Sequence, residues 1–139
     1  MRLGECLALN ISDVDIHSNI IHVSKILTHD EDHKPYIHDS ALSQTKDGAR
    51  LVQINNIFKN NVIEAISNAE NNKDNENKLL FCQDNGSLIL ESSVNSYLKK
   101  VAKQIGLSYW KEFSSHRLRH TFATRCIEAG ISLPVLQTL

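Results

Sequence analysis

The spacing of apolar residues changes from strand-like to helical midway along this chain, and that change restricts the fold more than any other feature. Between Ile16 and Ile54 the apolar groups are largely β-branched and fall in short runs or in alternation, as at Ile21 and Val23, the period of a half-buried strand. From Phe58 onward they recur at helical spacing: Phe58, Val62, Ala65, Ile66 and Ala69, then Val94, Leu98, Val101 and Ile105. A chain of this kind is expected to be α+β, a mostly α-helical domain carrying a small three-stranded antiparallel β-sheet.

Local chemistry places the elements. Leu3, Cys6 and Leu7 share one side of a short opening helix, and Asn10-Ile-Ser-Asp13 supplies turn chemistry after it. Strands are expected near 20–27, at Ser40–Thr45 and at Arg50–Ile54, the last two joined by Lys46-Asp47-Gly48, where Asp-Gly tolerates the positive φ of a tight hairpin. Thr28–Asp39 is polar, contains Pro35 and reads as an exposed excursion. Helices are expected over roughly 56–70, after a Ser92 or Ser93 cap up to Gly106, and from His116 to about Ala129 behind Ser114 or Ser115. Leu133–Leu139 would begin one more, with Pro134 in its first turn. Asn71–Lys78 has too few apolar groups to pack, Leu79–Cys82 reads as a brief buried segment, and Asp84-Asn85-Gly86 as a turn.

At 139 residues the chain suits one domain. No apolar run approaches the roughly 18 residues that span a bilayer, so no membrane partner is expected. Gly4 and Glu5 interrupt the apolar start that a secretory signal would need. Cys6, Cys82 and Cys126 are far apart and show no metal-ligand spacing, which suits reduced thiols in a cytoplasmic protein. The 13 Asn and 14 Ile are compatible with an AT-rich bacterial or phage genome.

A net charge of -1 argues at first against a polyanionic partner, but the sum hides a split. Residues 99–125 hold Lys99, Lys100, Lys103, Lys111, Arg117, Arg119 and Arg125 against Glu112 alone, a local +6, which leaves −7 elsewhere. Charge gathered on consecutive helices is the footprint of a phosphate-backbone site, and local potential outweighs net charge there. Within this stretch lies His116-Arg117-Leu118-Arg119-His120. His116 and Arg119 stand one helical turn apart near a helix N-terminus, with Leu118 and Phe122 expected to face the core. Imidazole and guanidinium beside free N–H groups suit a phosphodiester. A zinc reading of His116 and His120 is poor, because Arg117 stands where a zinc protease has Glu and the neighbouring cations oppose a metal.

His116-Arg-Leu-Arg-His-Thr-Phe-Ala-Thr124 resembles the second signature box of the tyrosine recombinases, or phage-type integrases. Arg2-Leu-Gly-Glu5 resembles their first box, and Thr45-Lys46 with Arg50 beyond it resembles their strand-turn lysine. The resemblance covers essentially the whole chain and implies the DNA breaking-rejoining fold. It implies that Arg2 and Arg119 hold the nonbridging phosphate oxygens and that His116 hydrogen-bonds the phosphate or helps deprotonate the nucleophile. Lys46 would protonate the leaving 5′ oxygen, Glu5 would support the pocket, and His120 would orient its neighbours. Lys99, Lys100, Lys103, Lys111, Arg117 and Arg125 would contact double-stranded DNA. No cofactor or metal is implied, since two guanidiniums and an ammonium supply the positive charge.

In the family the nucleophilic tyrosine follows the second box. Tyr36, Tyr97 and Tyr109 all precede His120 and read as packing or surface residues, with Tyr109 and Trp110 able to edge a DNA channel. The expected identity of residues 1–139 is therefore a partial catalytic domain without its nucleophile segment or an N-terminal DNA-clamping domain, from a protein that recombines paired sites as a tetramer. Such a piece would be unable to form the phosphotyrosyl bond alone. The competing expectation is a non-catalytic DNA-binding or regulatory relic. A phosphatase-like or RNA-modifying enzyme would explain neither Lys46 nor Arg2, and a type IB topoisomerase fits the Arg2-to-Glu5 box less well.

Overall fold

The chain opens on a short helix, α1 (Leu3–Leu7), and buries its last residue, Leu7, with Ala8 and Leu9 directly after it. Asn10 then turns the backbone into a 3-10 turn at Ile11–Asp13, its N–H bonded to Asp13 Oδ2 at 2.8 Å. The computed structural model describes residues 1–39 and 49–132. They divide into two units, Gly4–Leu90 on one side, and Met1–Leu3 with the chain from Glu91 onward on the other.

The first of these units holds the strands. β1 (Val14–Asp15), β2 (Ile20–Val23) and β5 (Arg50–Gln53) form an antiparallel three-stranded sheet with β2 central. The mixed α+β architecture is as expected, but the strands differ. The run expected as one strand near 20–27 breaks at Ser24 into β2 and β3 (Lys25–His29), which lie in different sheets. Thr28–Asp39 is no loose excursion. β4 (Pro35–Asp39) pairs with β3 from Lys25↔Asp39 to His29↔Pro35. Two facts allow this. Leu27 is buried and Ile37, its partner, half-buried, so the pair has an apolar centre on one face. Pro35 sits at the strand's first residue, where a missing N–H costs least. The connecting turn is closed by Asp30, whose carboxylate accepts from Lys34 N at 2.7 Å. The expected strand Ser40–Thr45 and the turn with Lys46 lie outside the described residues.

α2 (Asn56–Asn71) starts behind Asn55, whose side chain accepts from Ile57 N at 3.0 Å. Val62, Ala65, Ile66 and Ala69 line its inner side as expected; Phe58, in the first turn, is exposed. The polar segment that follows is largely exposed, in line with its few apolar groups, but one of its residues is pinned inside. Asn75 is buried, donates to Ala69 O at 3.2 Å and Leu79 O at 2.8 Å, and accepts from Leu79 N at 2.9 Å. One buried amide thus substitutes for the apolar anchor that the composition lacks. It fixes Leu79 and Leu80, both buried, so that Leu80 N reaches Leu9 O at 2.8 Å. The turn at Gly86 closes as expected, with φ +74° and so little room that an added Cβ would lie 1.8 Å from Asp74 O.

The second unit is helical. α3 (Glu91–Gln104) begins before Ser92, so Ser92 and Ser93 sit in its first turn instead of capping it. It ends at Gly106, φ +76°, where Gly106 N reaches Lys103 O at 3.1 Å and Leu107 N reaches Ala102 O at 3.0 Å. That closure needs a left-handed residue, which is glycine's place. A 3-10 turn, Trp110–Glu112, follows, and then α4 (Ser115–Glu128). The helix expected from Leu133 lies outside the described residues. No helix among the described residues is long and apolar enough to cross a membrane.

Candidate active site

α4 carries the constellation that the sequence singles out, but in a rotated register. Leu118 and Phe122, expected in the core, are 45% and 58% exposed. The half-buried positions are Ser115, Arg119, Ala123 and Cys126, which recur at helical spacing along one stripe. Arg119 therefore stands on the inner side of its helix. Its guanidinium makes no ion pair or hydrogen bond to any described residue. A half-buried arginine with five donors and no carboxylate is a site looking for an anion.

The N-terminus of α4 is held from two directions. Ser114 Oγ accepts from Arg117 N at 3.4 Å, confirming the expected cap, and Asn95 of α3 accepts from Ser115 N at 2.9 Å. The first turn contains no acidic residue, so the positive end of the helix is not neutralised from within. On the adjoining exposed face His116 and His120 meet edge-on. Their Nε2 atoms are 2.8 Å apart and the ring planes cross at 83°. One ring donates and the other accepts, so the Nε2 of each is engaged by its neighbour. His120 is thus in direct contact with His116.

The other basic residues sort into two groups. Arg117 is paired with Glu112, and Arg125 with Glu128 at 2.9 Å, so these two carry their own counter-charges. Lys99, Lys100, Lys103 and Lys111 have no carboxylate partner among the described residues. Lys103 and Lys111 both lie over the Trp110 ring, at 5.2 Å and 5.7 Å from its centroid. Arg2 is exposed and belongs to the same unit as α4. Lys46 lies outside the described residues. Tyr36, Tyr97 and Tyr109 are all exposed.

Glu5 belongs to the strand-bearing unit and is only 4% exposed. Both its oxygens are taken by Arg50, at 2.9 Å and 2.8 Å, in a two-pronged pair that ties α1 to the start of β5. The sequence reading names Arg50 only as a neighbour of Lys46. A buried carboxylate in the first motif needs a cation, and that requirement is the signal that could have found it. The same unit contains a second such network. Lys25 Nζ reaches Asn10 Oδ1 at 2.6 Å and Asp13 Oδ2 at 2.8 Å, which ties β3 to the turn after α1. Asp15 caps the β1–β2 turn. The Ser18 hydroxyl and N–H, then His17 N–H, hold its carboxyl below the usual aspartate range. Burial pushes the Cys6 thiol up.

An inward arginine without a partner among the described residues, two contacting imidazoles and an unneutralised helix N-terminus together make a locally cationic face on α4. The chain belongs to the phage integrase family, whose model matches residues 1–139. It is 28% identical over 142 residues to the tyrosine recombinase XerC of Alcanivorax borkumensis, with 100% of this chain and 39% of that protein covered. It is 27% identical over 143 residues to the integrase of Staphylococcus phage L54a, covering 98% of this chain and 39% of the relative. Among solved structures it resembles the Tn1549 transposon integrase in complex with a circular intermediate DNA, with a TM-score of 0.81 and 25% identity over 99% of this chain and 45% of that one. It also shares the fold of XerA recombinase, with a TM-score of 0.74 over 99% of this chain and 42% of that one. The chain thus spans 39% of the length of the two sequence relatives.

Proposed function

We propose that these residues form part of a catalytic domain that breaks and rejoins duplex DNA at specific sites, through a phosphotyrosyl intermediate formed by the whole recombinase. The observation that carries the reading is Arg119: half-buried, on the inner stripe of α4, without a carboxylate among the described residues, and beside the His116–His120 pair. A phosphodiester supplies the missing charge. In the proposed chemistry Arg2 and Arg119 hold the nonbridging oxygens and stabilise the charge that builds in the transition state. His116, in contact with His120, hydrogen-bonds the phosphate or takes the nucleophile's proton. Lys46 gives a proton to the departing 5′ oxygen, a role that rests on its place in the motif order alone. Glu5, held by Arg50, has a supporting part that rests on the motif alone, and Lys99, Lys100, Lys103 and Lys111 grip the backbone.

The cleaving tyrosine is not among Tyr36, Tyr97 and Tyr109, because each precedes the His116–His120 box. The whole protein is read as acting in the cytoplasm of a bacterial host, as a tetramer on paired sites. Two measurements test the reading. Labelled duplex DNA should bind the 139-residue chain weakly, with affinity falling steeply as salt rises, since released counterions drive such binding. A suicide substrate should leave no covalent adduct on this chain. Binding that ignores salt would sink the phosphate reading; an adduct on any residue would sink the assignment of the nucleophile.

A further inference from the structure

We infer that Trp110, with Lys103 and Lys111, forms a preassembled contact for the phosphate backbone of duplex DNA, apart from the pocket on α4. The inference rests on the duplex-DNA reading above and adds to it a second, separately measurable subsite.

The sequence places the two lysines at the end of one element and inside the next, and the closure of α3 brings them together. At Gly106 the chain reverses, and Trp110 N then reaches Leu107 O at 3.2 Å, which returns the indole to the end of α3. Lys103 Nζ comes to 5.2 Å from the ring centroid and Lys111 Nζ to 5.7 Å, both inside the roughly 6 Å reach of a cation–π contact. Two ammoniums gathered on one ring repel each other, and the ring's negative face offsets only part of that. A nearby carboxylate would relieve them, yet Glu112, the next residue, is taken by Arg117. Neither ammonium has a carboxylate partner among the described residues. Arg117 and Arg125, which sequence alone ranks equally with these lysines, are internally neutralised. Of the uncompensated cations of this region, Lys103 and Lys111 are the two that an aromatic ring already holds in place. A polyanion binding there exchanges its condensed counterions, released to solvent, for two ammoniums with little side-chain freedom left to lose. Backbone phosphates fit better than stacked bases, because the lysines occupy the surroundings of the ring that a base would need.

Trp110 is the single tryptophan of the chain, so its emission reports on this subsite directly. A short mixed-sequence duplex with a fluorescein end label is titrated into the chain at low salt, following label anisotropy and Trp110 emission together. Emission should change in step with anisotropy. Both lysines are exposed, so Lys103→Gln/Lys111→Gln should keep the fold by circular dichroism. It should lower the slope of log affinity against log salt by about 2, at about 0.9 for each phosphate contact. Trp110→Leu, with both lysines kept, should weaken binding about 2- to 10-fold, and Trp110→Phe should recover most of it. Anisotropy rising while Trp110 emission stays constant overturns the inference, as does an unchanged salt slope in the double variant. Tighter binding and stronger quenching by the single strand also overturn it, in favour of base stacking. No binding in either channel overturns the duplex-DNA reading itself, which keeps the two failures apart.

Discussion

Replacing Asn75 by alanine should be among the most damaging single changes in the strand-bearing unit, although the residue sits in a polar, unremarkable stretch of sequence. Its amide makes three bonds, to Ala69 O at 3.2 Å, to Leu79 O at 2.8 Å and from Leu79 N at 2.9 Å. Leu79 is 1% exposed, so water cannot take over its two backbone groups. A neutral hydrogen bond contributes about 1 kcal/mol net, and a buried group left without a partner costs about 1–3 kcal/mol. With partial relaxation, Asn75→Ala should lose about 3–4 kcal/mol, a large share of the roughly 5–15 kcal/mol that holds a domain together. Asn75→Asp keeps the size and the acceptor but replaces the donor by an oxygen facing two carbonyls, so it should not rescue. Urea unfolding followed by far-UV circular dichroism reads the loss, and for a domain of this size Tm should drop by about 10 °C. Amide exchange at Leu79 should accelerate in parallel. A loss under about 1 kcal/mol with Leu79 still protected would refute the account of this segment as pinned by one side chain.

Three further outcomes follow from other parts of the molecule. Gly86→Ala should destabilise by about 2 kcal/mol or more, because a left-handed backbone and a backbone oxygen 1.8 Å from the new Cβ both oppose it; chemical denaturation measures this. Asp15 should titrate below the ordinary aspartate range by carboxyl carbon NMR. Because its folded value is lowered, its contribution is present above the unfolded value and is lost as pH falls through the folded one; Asp15→Asn should remove that part of the acid sensitivity, and an ordinary midpoint would contradict the turn geometry. His120→Ala takes away the partner of His116 Nε2, so nitrogen-detected NMR should show the tautomer balance of His116 shift; an unaltered pattern would mean the pair does not share a hydrogen in solution.

The distance between pattern and structure is clearest on α4. Helical spacing identifies the helix and its Ser114 cap, because both depend on residues a few positions apart. It does not identify which stripe is inward. Apolarity points to Leu118 and Phe122, whereas the half-buried stripe runs through Arg119. Periodicity gives the spacing of a stripe, whereas which stripe is covered depends on what packs against the helix. Asn75 and β4 were illegible for a related reason. A buried amide and a Pro-led strand act through long-range partners, which composition and local period do not carry.

Sequence alone determined the balance of helix and strand, the three signature motifs in order and the concentration of positive charge in residues 99–125. Each is a property of neighbouring residues or of their sum. Tertiary structure alone decided which of those charges remain uncompensated. Arg117 and Arg125 find carboxylates of their own, Arg119 finds none among the described residues, and Lys103 and Lys111 gather on Trp110. Counter-charge is a matter of a few ångströms in space, because Coulomb attraction and hydrogen bonding both act at that range, and no count along the chain contains it.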